Sequence, residues 1–406
     1  MDFNIRPIRQ DELPALDGAL GWGFGGDPVP EEPHRFDATF LERCRCVFDG
    51  KEMVGTCGAF GLDLAVPGGT LPTGGTTIVT VRASHRRRGL LRAMMQEHLR
   101  DVEERGEPLA ALWASESSIY SRFGYGPAAD LWHFEVERGH ADFARPSEAA
   151  GRYRQVELPE AEKILPDVYE QLWRDRPGHF ARSSTWWEHR HLHDPQRGRG
   201  GASAYRYVIY EEEGRPRGYV QYRIKSNYAA AGLPRDALRV MHLEGIDAAA
   251  RGALWRYVFE VDLVERVFAW NQPADCELPW LLADRRRAVS SPRDALWVRL
   301  HDIPAALAGR RYAAEGRVVF GVRDAFWPGN SGSYALEAGP DGAACRRTSE
   351  DPQIQLDACD LGSVYLGGHR LRTLARAGRV EGSKLALERA DAMLGWDPVP
   401  WCPEIF

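Results

Sequence analysis

The sequence predicts a mixed α/β and α+β protein with three domains. Its 406 residues exceed what one ordinary hydrophobic core can hold. Strand and helix patterns alternate through residues 1–138, which is typical of an α/β layer fold, and residues 139–290 repeat that order more loosely. In residues 291–406 several strand patterns precede a helix, as in an α+β module. We therefore place the domain boundaries near residues 138 and 290.

The first domain follows from its apolar periodicity. It begins with a short strand and a helix, and a loop rich in Gly, Pro, acidic and aromatic residues then predicts a binding segment. Two strand patterns flank Asp49-Gly50, which predicts a hairpin. A β-branched strand, a basic turn, a long amphipathic helix and two more strands complete it. These elements correspond to residues 3–7, 11–20, 21–33, 45–48, 53–60, the stretch 76–126, which includes the strand 109–114, and 131–136.

The second and third domains show weaker patterns. The polar segment 139–151 breaks the first pattern, and a helix, two strands joined by a turn, another strand and a helix starting near Asp247 follow it. The turn before that last helix lacks an arginine cluster, so we expect a degenerate copy of the first domain. The predicted elements are residues 158–174, 205–210, 219–225 and 239–246 in the second domain, and strands 295–300, 316–322 and 331–336 with a helix at 369–376 in the third.

Composition excludes several functional classes. Hydrophobic residues make up 44% and charged residues 27% of the chain, which fits a soluble globular protein. The net charge of -6 argues against nucleic-acid binding and favours cationic small molecules. No apolar run is long enough to span a bilayer, and the N-terminus lacks a signal-peptide core. We therefore expect a cytoplasmic protein without membrane partners.

No metal site is expected. The seven cysteines are scattered and form no CxxC pair, which suits reduced thiols in a reducing compartment. His189, His191 and His193 alternate, but they follow a pattern that predicts a helix, where alternate side chains diverge.

The segment TTIVTVRASHRRRGLLRAMM predicts an anion-binding site. A strand leads into a basic turn, and the turn ends at a glycine that opens a helix, whose N-terminal N–H groups and dipole favour phosphate. Arginine side chains would add charge-assisted contacts. On the strand, alternate positions could pair through the main chain with an extended ligand. The candidate residues are Val79, Thr80 and Val81 on the strand, and Arg86, Arg87, Arg88, Gly89, Leu90, Leu91 and Arg92 in the turn and helix start.

A second motif, ASESSIYSRFGYG, follows the next predicted strand. Ser115 and Glu116 begin it, where the end of a diverging strand would meet a ligand. Tyr120 lies on the short helix, and its phenol could protonate a leaving thiolate within hydrogen-bond reach. Taken alone, Tyr120 is more often a packing tyrosine, and Tyr125 is the rival proton donor.

These two motifs, with the tail WCPEIF, resemble the enhanced intracellular survival (Eis) family of GNAT acetyltransferases. The resemblance implies tandem GNAT-like domains, the first active and the second degenerate and without cofactor, followed by a domain like sterol carrier proteins. It implies acetyl-CoA as cosubstrate, no metal, and transfer of acetyl groups to amines of aminoglycosides, often at several positions. It also implies a homo-oligomer, commonly a hexamer.

Residue by residue, the resemblance assigns roles to positions in this chain. Val79 and Val81 pair with pantetheine, the turn to Arg92 binds pyrophosphate, and Ser115 with Glu116 completes the coenzyme site. Tyr120 falls on the family's general acid. Phe406 falls on its general base, acting through the free α-carboxylate, and the tail carrying it reaches the active site. For the polycation we expect acidic and aromatic side chains, namely Trp22, Phe24, Asp27, Glu31, Glu32 and Glu404.

Two alternatives remain open from the sequence. One is a protein, peptide lysine or polyamine acetyltransferase, since an antibiotic-resistance enzyme and these modifiers share the motifs. The other is a lipid-binding protein that works through the C-terminal domain.

Overall fold

The structure, a computed structural model, describes residues 3–26, 36–146, 150–230 and 232–406. These residues divide into two compact units. The first unit comprises Met1–Ala129, Asp294–Pro400 and Glu404–Phe406, and the second comprises Asp130–Arg293 and Trp401–Pro403. Mixed helices and sheets in both units confirm the predicted α/β and α+β classes.

Three sheets carry the strands of the described residues. In chain order the strands are β1 (Asn4–Arg6), β2 (Cys46–Asp49), β3 (Glu52–Val66), β4 (Gly69–Val81), β5 (Leu109–Trp113), β6 (Gly126–Pro127), β7 (Asp130–Glu137), β8 (Arg152–Val156), β9 (Arg206–Glu212), β10 (Arg215–Lys225), β11 (Asp236–Gly245), β12 (Val264–Gln272), β13 (Val289–Asp294), β14 (Leu296–Leu300), β15 (Gly316–Arg323), β16 (Gly332–Gly339), β17 (Gly342–Thr348), β18 (Ile354–Asp357) and β19 (Glu381–Gly382).

The helices of the described residues connect these strands. They are α1 (Leu13–Phe24), α2 (Ala38–Arg43), α3 (Leu90–Glu104), α4 (Ser117–Tyr120), α5 (Leu158–Glu170), α6 (Ser184–Trp186), α7 (Ala248–Glu260), α8 (Leu278–Leu281), α9 (Ile303–Ala308), α10 (Ala358–Tyr365), α11 (Leu371–Arg376) and α12 (Lys384–Leu394). Among the described residues, no helix has the length and apolar character needed to cross a membrane.

The first sheet has the strand order β1-β2-β3-β4-β5-β14-β6. β2 and β3 form the predicted hairpin around Asp49-Gly50. β4 and β5 run parallel, and α3 connects them because parallel neighbours need a crossover. The apolar side of α3, with Met94, Met95 and Leu99 fully buried, covers this sheet.

Two predicted strands belong to a different sheet from the one that their position in the sequence suggests. The strand predicted at residues 131–136 in the first domain is β7, and it pairs with β12 in the second sheet. The strand predicted at 295–300 in the third domain is β14, and it pairs antiparallel with β5 of the first sheet over five residues, Leu296 to Leu300. Strand propensity identified both strands correctly, but pairing partners are a long-range choice that local patterns do not encode.

The second sheet has the order β13-β7-β12-β11-β10-β9-β8. Here β11 and β12 are parallel and α7 connects them, as β4, α3 and β5 do in the first unit. The helix N-terminus differs, because the Asp247 carboxylate accepts a hydrogen bond from the Ala250 amide at 2.8 Å and pairs with Arg217 at 2.5 Å. The Asp247 carboxylate therefore already occupies the N-terminus of α7, whereas a basic turn precedes the N-terminus of α3.

The third sheet, of order β17-β16-β15-β18-β19, lies in the first unit. The predicted strands at 316–322 and 331–336 are β15 and β16, and the predicted helix at 369–376 is α11. α10 packs on β14 and β15, so this α+β module shares a core with the first sheet.

Candidate functional site

A cavity of about 890 Å³ lies in the first unit where β4, α3 and α4 meet. We call it the β4–α3 cavity. Eleven of the twelve residues predicted to bind coenzyme line it, together with the predicted acid Tyr120. The eleven are Val79, Thr80, Val81, Arg86, Arg87, Gly89, Leu90, Leu91, Arg92, Ser115 and Glu116. The twelfth, Arg88, is exposed and does not line the cavity.

A β-bulge opens β4 at this cavity. Thr56 of β3 pairs with Thr80 and Gly58 pairs with Thr77, so two residues of β4, Ile78 and Val79, lie opposite one residue of β3. Ile78 has φ of 48°, which a β-branched side chain adopts only where a bulge requires it. Pairing of β4 with β5 ends at Thr76, so the β5-facing main chain of residues 77–81 is left for another extended partner.

The turn between β4 and α3 concentrates positive potential. Arg87 has φ of 64° and Gly89, the N-cap, has φ of 80°, which places two left-handed residues within three positions. No side chain of the described residues caps the N-terminus of α3, so its first-turn N–H groups keep their hydrogen-bonding capacity for a ligand. With Arg86, Arg87 and Arg92 on the cavity wall, this turn fits the pyrophosphate of a coenzyme.

The two candidate tyrosines have different surroundings. Tyr120 lines the cavity although only 5% of its surface is exposed, and burial raises the pKa of its phenol to about 12. Tyr125 is fully buried, and its hydroxyl lies 3.0 Å from the Thr76 hydroxyl and 3.4 Å from Nε2 of His98. Tyr125 therefore belongs to an internal hydrogen-bond network, whereas Tyr120 faces the cavity.

The C-terminal tail is held by packing. Trp401 is 2% exposed, and its Nε1 donates to Oδ1 of Asn271 at 2.8 Å. Within the first unit, the ring of Phe406 approaches β4 so closely that a β-carbon on Gly75 would lie 3.3 Å from it. Phe406 and Glu404 are both buried, and neither lines the β4–α3 cavity.

The predicted substrate residues are only partly described. Residues 21–24, expected to begin a loop, form the last turn of α1, and the loop starts at Gly25. Trp22 is 81% exposed, and Phe24 lines the cavity. The helix ends against β4, since a β-carbon on Gly23 would lie 2.4 Å from Thr80 Cγ2. Asp27, Glu31 and Glu32 lie outside the described residues.

Sequence reasoning missed several residues of the cavity wall. They are Gly23, His85, Ser118, Ile119, Arg122 and Phe123. Four of these flank Tyr120 on α4 and the turn after it, so the helical spacing of the SIYSRF segment was an available signal. Gly23 and His85 come from other elements, and no local pattern links them to Tyr120.

No group of three or more His, Cys, Asp or Glu side chains within the described ranges is arranged to hold a metal ion. His189 and His191 lie in the helical turn Trp187–His191, as predicted.

Comparison with known families assigns each part of the chain. Residues 4–128 match the acetyltransferase (GNAT) domain, and residues 178–300 match a second acetyltransferase (GNAT) domain. Residues 303–403 match the sterol carrier protein domain. The predicted order of two GNAT-like domains and a sterol-carrier-like domain is therefore confirmed.

Full-length relatives decide the family. An uncharacterized N-acetyltransferase of Streptomyces coelicolor is 38% identical over 100% of both chains. The N-acetyltransferase Eis of Mycobacterium bovis is 38% identical over 86% of this chain and 84% of its own. The chain belongs to the Eis family of GNAT acetyltransferases. It is accordingly an acetyltransferase enzyme, and GNAT acetyltransferases use acetyl-CoA as the acetyl donor.

Solved structures agree with this family. The crystal structure of Eis1 from Mycobacterium abscessus superposes with a TM-score of 0.86 at 29% identity, covering 100% of both chains. A GCN5-related N-acetyltransferase from Anabaena variabilis gives the same TM-score at 19% identity over 100% of both chains, which shows the shared fold. An Eis-family fold thus surrounds the β4–α3 cavity.

Proposed function

We propose that the protein transfers the acetyl group of acetyl-CoA to amines of polycationic small molecules, with aminoglycosides as the substrate class. The acetyl group would pass directly to the amine in a ternary complex. None of the described residues that line the β4–α3 cavity is a cysteine, so the proposal needs no covalent acyl-enzyme.

One observation carries this proposal. The β4–α3 cavity joins the bulged edge of β4, the uncapped N-terminus of α3 and the phenol of Tyr120 in a single space. Acetyl transfer from a thioester needs main-chain pairing for the donor's amides, a cationic grip for its phosphates and a proton for its thiolate. The three parts of the cavity would serve these three needs.

The donor would bind through main chain and charge. Residues 79–81 would pair with pantetheine as an added strand, and the turn from Arg86 to Arg92 would hold the pyrophosphate. Ser115 and Glu116, at the end of the diverging β5, would complete the site. Main-chain N–H groups near the bulge would stabilise the negative charge that develops on the thioester oxygen.

Tyr120 would act as the general acid. Its raised pKa, due mainly to burial, keeps the phenol protonated at neutral pH, as a proton donor requires. Tyr125 is a weaker candidate because Thr76 and His98 already surround its hydroxyl.

Phe406 would act as the general base through its α-carboxylate. The contact of its ring with β4 supports this role by holding the terminus near the strand, at Gly75, three residues before Ile78. A free α-carboxylate is a weak base, so placement and partial burial would have to compensate, with a water relaying the proton where direct contact is lacking.

Several finer features belong to the same proposal. The cation would be recognised by Trp22, Phe24, Asp27, Glu31, Glu32 and Glu404. All seven cysteines lie in the described residues and none forms a disulfide, which supports a reducing cytoplasmic location. Assembly as a hexamer, implied by the family resemblance, is testable by light scattering of the purified protein.

The deciding experiment measures coenzyme A release from acetyl-CoA with kanamycin, spermidine and a lysine-containing peptide, for the wild type and Tyr120→Ala. We expect fast release with kanamycin and its loss in the variant. Release with spermidine or peptide alone would keep the acetyl transfer and replace the substrate class. Absence of release with every amine, despite acetyl-CoA binding, would refute the proposed acceptor class and favour a lipid carrier, which lipid extraction of the purified protein would reveal.

A further inference from the structure

The wall of the β4–α3 cavity rests on an aromatic ring from the sterol-carrier-like domain. Phe326, in the turn after β15, is 4% exposed and packs edge-on against Phe123 with the ring centroids 4.8 Å apart. Phe123 lines the cavity three residues after Tyr120. A residue about 200 positions away in the chain thus supports the segment that carries the proposed acid.

The same ring also holds a cation of the coenzyme site. The guanidinium carbon of Arg92 lies 5.2 Å from the centroid of Phe326. Arg92 is exposed and lines the β4–α3 cavity on the first turn of α3. A guanidinium over an aromatic face is attracted by the ring's quadrupole, so the contact restricts a side chain that would otherwise sample many rotamers.

A buried ion pair fixes the position of this ring. Asp324 accepts hydrogen bonds from the amides of Phe326 at 3.1 Å and Trp327 at 2.9 Å, and from Nη2 of Arg299 at 2.6 Å. Arg299, on β14, donates its other terminal nitrogen to the Phe123 carbonyl at 2.6 Å. The side chains of Arg299 and Asp324 are 0% and 1% exposed, so water does not compete for these bonds.

We propose that Phe326 is a positioning residue for acetyl-CoA, whose ring holds the Arg92 guanidinium in the orientation that meets the donor's pyrophosphate. The inference rests on the proposed role of Arg92 in binding the donor. On this proposal, the sterol-carrier-like domain contributes to coenzyme affinity through the contact of Phe326 with Arg92, although Phe326 itself does not touch the coenzyme. Preorganising a charged side chain raises affinity because less conformational freedom is lost on binding.

The test is a double-mutant cycle read by the dissociation constant of coenzyme A in calorimetry, together with KM and kcat. Arg92→Met, which removes the charge and keeps the stem, should weaken binding about 10-fold or more. Phe326→Leu removes the ring but keeps an apolar side chain against Phe123. It should therefore weaken binding about 2- to 5-fold, the range for an exposed cation over a ring, and raise KM for acetyl-CoA with little change in kcat. In the Arg92→Met background, Phe326→Leu should have no further effect.

Trp327→Leu is the matched control. Trp327 is the neighbouring aromatic residue in the same turn, and its ring lies against His301, with centroids 5.1 Å apart, instead of Arg92. We expect its coenzyme A affinity to stay within about twofold of wild type, since it keeps the Arg92 contact. An equal loss in Trp327→Leu and Phe326→Leu would overturn the proposal in favour of general packing.

The remaining outcomes separate the two claims. Unchanged affinity in Arg92→Met would refute the proposed role of Arg92 itself. Two outcomes would overturn the positioning role of Phe326 while Arg92→Met still weakens coenzyme A binding. In one, Phe326→Leu weakens binding equally in the wild-type and Arg92→Met backgrounds; in the other, Phe326→Leu lowers kcat alone. If Phe326→Leu fails to fold, fluorinated phenylalanines at 326 keep the ring's shape while withdrawing its π electrons. Affinity should then fall stepwise with fluorine number, and constant affinity would refute the proposal.

Discussion

At the scale of single residues, access to the cavity separates two tyrosines that are rival proton donors in the sequence. Tyr120 reaches the β4–α3 cavity, while the Tyr125 hydroxyl lies between Thr76 and His98. Both phenols have pKa values raised by burial, so both stay protonated near neutral pH. Access to the cavity, rather than acidity, therefore distinguishes the proposed acid.

Tyr120→Phe removes the proposed proton donor with little change in packing. We expect kcat to fall roughly 10²- to 10⁴-fold, because the thiolate would leave without a positioned acid. Steady-state kinetics at saturating acetyl-CoA measure this. Tyr125→Phe is the matched control and should retain most of the turnover, and the reverse order of the two variants would assign the acid to Tyr125.

The pKa of Tyr120 also predicts a pH profile. Because burial raises this pKa to about 12, the acid keeps its proton throughout the ordinary assay range. We expect no fall of kcat from Tyr120 ionisation between pH 7 and about pH 10. A descending limb near pH 9 that disappears in Tyr120→Phe would contradict this environment.

His98 makes stability depend on pH. It is fully buried, and desolvation, followed by the positive charge of Arg43, lowers its pKa from 6.5 to about 3. Below pH 6.5, His98 binds a proton in the unfolded chain but stays neutral in the folded chain. The contribution of neutral His98 to the free energy of unfolding is therefore complete above pH 6.5 and is lost as the pH falls toward 3. The free energy of unfolding should therefore drop by about 2–3 kcal/mol between pH 7 and 4.5 from this group alone.

Urea unfolding of wild type and His98→Gln at both pH values measures this contribution. The variant should be less stable at pH 7 but should lose less stability on acidification. Burial also lowers the pKa of His301 to about 4, so this residue lowers the free energy of unfolding over the same pH range. That second loss occurs in both the wild type and His98→Gln. Equal losses in the two proteins would show that His98 already carries a proton in the fold.

At the scale of elements, the start of α3, where we propose that the coenzyme pyrophosphate binds, has an unusual backbone geometry. Gly89 has φ of 80°, and a β-carbon added there would meet nothing within 4 Å, so the backbone is open to a ligand. Gly106, just beyond the other end of the helix, has φ of 67° and equally open space. The two glycines thus share a left-handed backbone conformation and differ in their distance from the cavity.

Gly89→Ala should raise KM for acetyl-CoA about 10-fold, because a methyl group would separate the backbone from phosphate. The left-handed conformation itself costs about 1 kcal/mol for alanine. Gly106→Ala carries the same strain and should lower thermal stability similarly with KM unchanged. Matching KM values for the two variants would show that Gly89 serves folding alone.

The C-terminal tail is held at two positions. Trp401 is anchored by Asn271, and the Phe406 ring lies against β4. Adding Gly-Ser after Phe406 displaces the α-carboxylate and should cripple turnover while coenzyme A affinity, measured by calorimetry, persists. The same dipeptide added before Met1 is the control. Full activity of the C-terminally extended enzyme would exclude Phe406 as the base.

At the scale of the whole molecule, the first unit is discontinuous in sequence, because β14 joins the first sheet while β7 joins the second. The chain leaves this unit after Ala129 and returns at Asp294. The two ends meet, because the Ala295 amide donates to the Ala129 carbonyl at 3.1 Å. The buried cluster around Tyr120 includes Trp297 and Phe326 from the returning segment.

A fragment of residues 1–138 should therefore fail to fold cooperatively, since β5 loses its partner β14 and the cluster loses two aromatic residues. Replacing residues 130–293 by a short Gly/Ser linker keeps the whole first unit and should restore a cooperative thermal transition and coenzyme A binding. Circular dichroism and calorimetry measure both. Wild-type affinity in the 1–138 fragment would refute this dependence.

Most elements, and most residues that line the β4–α3 cavity, could be predicted from the sequence because their signals are local. The hairpin at Asp49-Gly50, the basic turn at Gly89 and the helix after it all follow from neighbouring residues. The end of α1 was missed at Trp22 and Phe24, because glycines at 21, 23, 25 and 26 suggested a loop. In the structure Gly23 permits close packing of that helical turn on Thr80 instead.

The sequence by itself determined the family, the strand–turn–helix that lines the β4–α3 cavity and the pair of candidate tyrosines, because periodicity, turn residues and motifs reside in consecutive positions. Only the tertiary structure decided which tyrosine reaches the cavity, which sheet receives β7 and β14, and that Phe326 contacts Arg92. These depend on burial and pairing between residues far apart in the chain. Many alternative pairings satisfy the same local pattern, and the packing of the complete core selects among them.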